Sequence, residues 1–237
     1  MVDNCYVILY YWSMTAYKLL DQELKSNDGQ FQWEIGKTYT IDKPGNKMCS
    51  DEVFHCYNHP VLAVLFNRIH ADIENPRLFE IEIPEFCNND ELKFASKSQK
   101  LIKELDLPII SIDQRIEFAI RVAKLVYDDE KWNTWADKWL SGEDRTIIAA
   151  RAATAATAVY AATAATAVYA ANAAAVYATN AAAANATAVY AANATANATA
   201  NAAYTARAAT AVYAADSAVV TNDDFIRIIE EILDKES

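Results

Sequence analysis

Cys49, His55, Cys56 and His59 supply, within eleven positions, the side chains that zinc prefers. A structural zinc site needs four thiolate or imidazole ligands in a tetrahedron, and its ligand pairs usually come at short, regular spacings. The pattern C-x5-H-C-x2-H fits no standard finger. His55 and Cys56 are also adjacent, so on a strand they point to opposite faces. The expected reading is a hydrogen-bonded histidine and buried thiols packing a hairpin, with no metal and no cofactor. A Cys–His nucleophile would further require an orienting third group and an oxyanion hole. Nothing in the surrounding sequence marks either.

Two other groups of residues could act on a ligand. Tyr17, His55 and Glu80 or Glu82 could take the aromatic, basic and acidic roles around a nicotinamide. This is the ADP-ribosyltransferase-like or nucleotide-binding alternative, which no spacing enforces. An alternating Glu strand is more simply a solvent-facing edge. The second group is Tyr160, Tyr169, Tyr177, Tyr190, Tyr204 and Tyr213. Tyrosine offers contact area at low entropic cost, which suits partner binding. The same rings could instead fill gaps between alanine helices. No catalytic residues are expected.

The elements that must position these residues fall into three zones. In the first, residues 1–95, "QFQWEIGKTYTI" (30–41) and "PRLFEIEIPEF" (76–86) alternate apolar and polar positions, the period of half-buried strands. Between them, "HPVLAVLFNRIHADI" (59–73) predicts a helix with Pro60 in its first turn. Residues 42–46, Asp-Lys-Pro-Gly-Asn, predict a turn. The sum is a small α+β domain. The second zone, 96–142, predicts amphipathic helices. One starts at Ser111 or Asp113 and carries Ile116, Ile120, Ala123, Val126 and Tyr127 on one face. Another bears a stripe of Trp132, Trp135 and Trp139, read as a helix–helix seam, and ends at Gly142.

The third zone, 143–237, is of another character. From 149 to 218, 39 of 70 residues are Ala, and neither Gly nor Pro occurs after Gly142. Alanine is the strongest helix former and is depleted in strands. The reading is an all-α array of alanine helices, against a competing β-solenoid. The non-alanine residues recur every third position, so no single straight helix has one dry face. Several antiparallel helices are therefore expected, with breaks at 178–181 and 193–202, where Asn and Thr compete for backbone hydrogen bonds. "TNDDFIRIIEEILDKES" then predicts a capping helix with Phe225, Ile228, Ile229 and Ile232 inward.

Bulk properties narrow the partners. The chain has 237 residues and a net charge of −11, which disfavours nucleic acid and anionic membrane as partners. Four scattered cysteines suit reduced thiols and a cytoplasmic setting better than a disulfide scaffold. The apolar run "CYVILYYWSM" is short, lacks a basic flank and alternates like a strand, so it reads as neither signal peptide nor membrane span.

Ala16-Tyr17-Lys18, Gly36-Lys37-Thr38-Tyr39, Cys49 with Phe54-His55, "NHPVLAVL" and "LFEIEIP" appear in that order. Together they resemble an uncharacterised small domain of bacterial and phage proteins, with the pattern AYK, GKxY and CxxGFHxC. That domain is often followed by repeats, some of them alanine-rich with interspersed Tyr. Val53 stands where the pattern has Gly, and one extra residue separates Cys49 from Phe54. The resemblance implies a mobile-element or phage setting and brings no enzymatic activity with it. The expected function is a non-enzymatic, protein-binding accessory protein in the host cytoplasm. It would be a viral inhibitor of a host defence complex, anti-CRISPR-like, whose partner is a host protein or protein complex.

Overall fold

The computed structural model describes residues 13–26, 29–42, 45, 47–48, 50–89, 92–125, 127–146, 148–153 and 220–236. It contains both strands and helices. The strands are β1 (Met14–Leu20), β2 (Lys25–Ser26), β3 (Phe31–Gln32), β4 (Thr38–Thr40), β5 (Phe54–Cys56), β6 (Arg77–Ile83), β7 (Asn88–Asn89), β8 (Phe94–Ser96) and β9 (Ser98–Leu105). The helices are α1 (Pro60–His70), α2 (Ile112–Lys124), α3 (Glu130–Ser141) and α4 (Asn222–Leu233).

The main sheet is antiparallel, in the order β1-β6-β9-β4. Smaller sheets, β2-β3 and β5-β8-β7, accompany it. Tyr17 and Tyr57 exchange backbone hydrogen bonds of 2.7 and 2.8 Å, which ties the end of β5 to β1. Both faces of the sheet are covered, and the pleat sorts residues between two cores. On β1, Tyr17 and Leu19 join a core with residues of α1, α2, α3 and α4, while Ala16 and Leu20 join Trp33, Cys56, Phe79, Ile81, Ile83 and Leu101 in a second. Period-2 alternation along β1 and β6 is what lets one strand serve both layers.

The stretch 76–86 forms a strand as expected, over Arg77–Ile83. The stretch 30–41 forms two short strands rather than one. Gly36 turns the chain at φ +83°, a left-handed conformation that suits glycine, and its N–H reaches the Leu101 carbonyl at 2.7 Å. The helical stretch expected from residue 96 begins at Ile112 instead. Ser98–Leu105 is β9, the third strand of the main sheet. The expected strand over the N-terminal apolar run lies outside the described residues, apart from Ser13 and Met14, the second of which opens β1.

The helices follow their sequence signals closely. His59 caps α1, its Nδ1 accepting from the Val61 N–H at 3.3 Å, with Pro60 at the first turn. Ser111 caps α2 in a reciprocal box with Gln114. Asp129 caps α3, whose Trp132, Trp135 and Trp139 are all buried, and Gly142 ends it at φ +80°. Thr221 and Asp224 form a second capping box at α4, which buries Phe225, Ile228, Ile229 and Ile232. Phe225 lies 6.1 Å, ring to ring, from both Phe66 of α1 and Phe118 of α2. The C-terminal helix thus shares the core of the sheet domain. Ala150 and Ala153, just before the alanine-rich stretch, and Val220, just after it, are buried in that same core. The stretch itself, 154–219, with its expected helices and breaks, lies outside the described residues.

Candidate functional site

Lys18 is the most unusual side chain in the fold. It projects from the middle of β1 and is 7 % exposed. Its Nζ donates to the His55 carbonyl at 2.6 Å and sits 4.8 Å from the centroid of the Trp33 ring. Trp33 is itself buried, and its indole N–H donates to Ser26 Oγ at 2.9 Å. Phe31, Tyr39 and Phe54 surround Trp33 with centroid separations of 4.8 to 5.2 Å. Gln99 of β9 approaches the same carbonyl. Its amide N–H donates to Ser96 Oγ at 3.0 Å and weakly to His55 O at 3.4 Å. The Gln99 Oε1 is buried without a hydrogen-bond partner among the described residues.

Burial has electrostatic consequences for this cluster. Removing the ammonium from water disfavours its charged form, so desolvation lowers Lys18 to about 8 against a smaller opposing effect of Cys56. Burial pushes the Cys56 thiol up to about 12, mitigated by the nearby lysine. An amine tuned toward neutrality can act as a base or nucleophile where a substrate reaches it. Here the aromatic ring and the carbonyl enclose it, and its visible work is to tie β1, the segment after β3, and β5 together. Cation–π contact and a charge-assisted hydrogen bond offset part of the desolvation cost.

The residues singled out from sequence fare differently. Cys49 lies outside the described residues, as do Tyr160, Tyr169, Tyr177, Tyr190, Tyr204 and Tyr213. His55, Cys56 and His59 take separate places: the first lends its carbonyl to Lys18, the second is buried in the second core, and the third caps α1. The His59 Nε2 is 3.7 Å from Glu230 of α4, and burial lowers its pKa despite that carboxylate. No group of three His, Cys, Asp or Glu is arranged to hold a metal ion among the described residues. Tyr17 and Glu80 stand directly opposite each other across β1 and β6. Glu80 is held by Lys103 at 3.3 Å, and Glu82 faces Lys100 at 3.8 Å. Val53, at the position where the resembled pattern has Gly, is buried and needs no left-handed backbone.

Sequence reasoning did not single out Trp33, Gln99 or Arg115, a buried guanidinium in the first turn of α2. Arg115 lines a cleft of about 370 Å³ with Val64, Glu74 and Leu107 among its walls.

The sheet, the Lys18 cluster and the start of α2 together span one segment of the chain. Residues 14–112 match the model of a family described as a domain of unknown function, DUF7666. The DUF7666 match begins where β1 begins and ends on the first residue of α2. It contains β1 to β9 and α1, and therefore Lys18, Trp33, His55, Cys56 and Gln99. No curated protein and no solved structure matches the chain. No helix among the described residues is long and apolar enough to cross a membrane.

Proposed function

We propose that the chain is a non-enzymatic binding protein in which a compact base presents the tyrosine-bearing, alanine-rich segment to a host protein. In its fuller form the proposal is a phage-encoded inhibitor of a host defence complex, such as a CRISPR effector, acting in the host cytoplasm. The observation that carries this reading is the anchoring of both flanks. Ala150 and Ala153 on one side and Val220 and Phe225 on the other are buried in one core. A segment secured at both ends by a packed domain is suited to present contact residues to a partner. The net charge of −11 supports a protein partner over a nucleic acid.

The test is affinity capture from a bacterial host, comparing the full chain with a variant carrying Tyr160→Ala, Tyr190→Ala and Tyr213→Ala. A defined partner that the variant loses, together with relief of CRISPR interference in a plaque assay, supports the proposal. Equal capture by both proteins overturns the role of the tyrosines. The opposition of Tyr17 and Glu80 favours one competing reading, a nicotinamide-using domain. Release of nicotinamide from NAD, abolished by Glu80→Gln, would put that reading ahead.

A further inference from the structure

The first turn of α1 is closed by a side chain whose charge can change near neutral pH. His59 stands at the N-cap in an extended conformation, φ −139° and ψ 134°, and its Nδ1 accepts from the Val61 N–H at 3.3 Å. The usual caps, Asn, Asp, Ser and Thr, offer oxygens that accept throughout the neutral range. An imidazole nitrogen accepts only while it keeps its lone pair. The cap therefore requires the neutral ring with its proton on Nε2, and that nitrogen faces Glu230 Oε1 of α4 at 3.7 Å. The neutral tautomer suits both neighbours at once.

Protonation suits only one of them. An imidazolium carries N–H groups at both nitrogens, so Nδ1–H would meet the Val61 N–H, donor against donor. It would also place a cation where the aligned peptide dipoles of α1 already concentrate positive charge, and α1 has no acidic residue in its first turn to offset it. Glu230 pulls the other way. It is the one charged group within ion-pair reach of the ring among the described residues, but its side chain is 57 % exposed, and such a pair contributes little. Arg227, one turn earlier on α4, is engaged by Asp224 and Glu231 at 3.3 and 3.2 Å. Burial of the ring outweighs the carboxylate and holds His59 below its ordinary value of 6.5. The unfolded chain thus takes up the proton more readily, so the contribution of the cap is complete above pH 6.5 and is lost as pH falls below it.

The capped turn sits at a junction of the fold. Val61 and Leu62 are buried in the core that also holds α4. Tyr57, two residues before the cap, pairs with Tyr17 of β1. We infer that His59 is a proton-operated cap, which closes the start of α1 when neutral and releases it on acidification, loosening the seam between α1 and α4. This device lies outside the tyrosine-bearing segment, and its state is read without any partner.

NMR titration of the His59 ring in the full-length protein tests it. Hydrogen–deuterium exchange at about pH 7.5 and at about one unit below the measured midpoint accompanies the titration, either side of the histidine range. The ring should titrate with a midpoint below 6.5 and carry its proton on Nε2 above that midpoint. On acidification, protection over residues 60–66 should fall about five-fold more than protection over α2, the factor expected for loss of one cap. His59→Asn keeps an acceptor that does not titrate, so this excess should vanish. Glu230→Gln should lower the midpoint further and leave the excess in place. A midpoint at or above 6.5 in the wild type, or a ring that stays neutral until the protein unfolds, overturns the proton-operated cap. So does an equal excess in the wild type and His59→Asn, or its disappearance in Glu230→Gln, which would assign the response to the ion pair.

Discussion

Lys18 shows what one residue costs a small domain. With its ordinary value of 10.5 lowered to about 8, the unfolded chain binds more protons than the folded one between those pH values. Stability therefore rises with pH across that window, and below it the fold carries a penalty of about 3 kcal/mol from this group. Cys56 acts in the opposite sense, since its rise from 9.0 to about 12 makes stability fall as pH increases through that higher window. Between pH 8 and 9 the lysine effect dominates. Urea unfolding of the wild type should gain about 1 kcal/mol over that unit relative to Lys18→Met, because the variant lacks the titrating group. At pH 7 the methionine variant should be the more stable of the two. Parallel pH profiles would show that the amine is not desolvated as described. The sequence shows Lys18 within an apolar-alternating run, but its burial depends on Trp33 and His55 arriving from other segments. Arg115 was hidden for a similar reason: on an amphipathic helix an arginine reads as solvent-facing until a loop covers it.

At the scale of elements, caps and periodicity were the legible part. The Ser111–Gln114 box, the Pro60 start, the tryptophan stripe and the Gly142 stop are local signals with local causes, and each appears where its residues place it. Removing the cap by Ser111→Ala should cost about 1 kcal/mol in denaturant unfolding. Ser111→Asp should restore most of it. Little change in either variant would mean that packing alone fixes the α2 terminus. The strands were less legible. Residues 98–105 are rich in Lys, Glu and Leu, which are good helix formers, and only pairing with β6 makes them a strand. Lys100 and Lys103 face Glu82 and Glu80 across that pairing, so the charges that obscure the strand in sequence also mark its register. Gly36 likewise divides an alternating run whose period alone suggests one continuous strand.

On the scale of the molecule, α4 closes a core begun many residues earlier. Phe225→Ala removes a fully buried ring between α1 and α2 and should destabilise the whole fold by about 3–5 kcal/mol. Loss confined to the C-terminal helix, with the sheet domain unfolding at its original denaturant concentration, would show that α4 is an appendage. Replacing residues 154–219 with a short Gly-Ser linker should preserve cooperative unfolding, since the flanking residues that enter the core remain. The circular dichroism of the full chain minus that of this variant gives the spectrum of the alanine-rich segment directly. A helical difference spectrum supports the expected array, and a strand-like one favours the solenoid. Sequence alone could not reveal the shared core, because it joins α1, α2 and α4 through contacts far apart along the chain.

The burial of Ala153 and Val220 in one core has an evolutionary corollary. A segment whose two ends are fastened to the same body behaves, for the rest of the fold, as a closed loop. The core contacts made at those two ends do not depend on how many units lie between them. Repetitive coding sequence readily gains and loses units by slippage during replication. Chains differing by several alanine-rich units should therefore melt within a few degrees of one another.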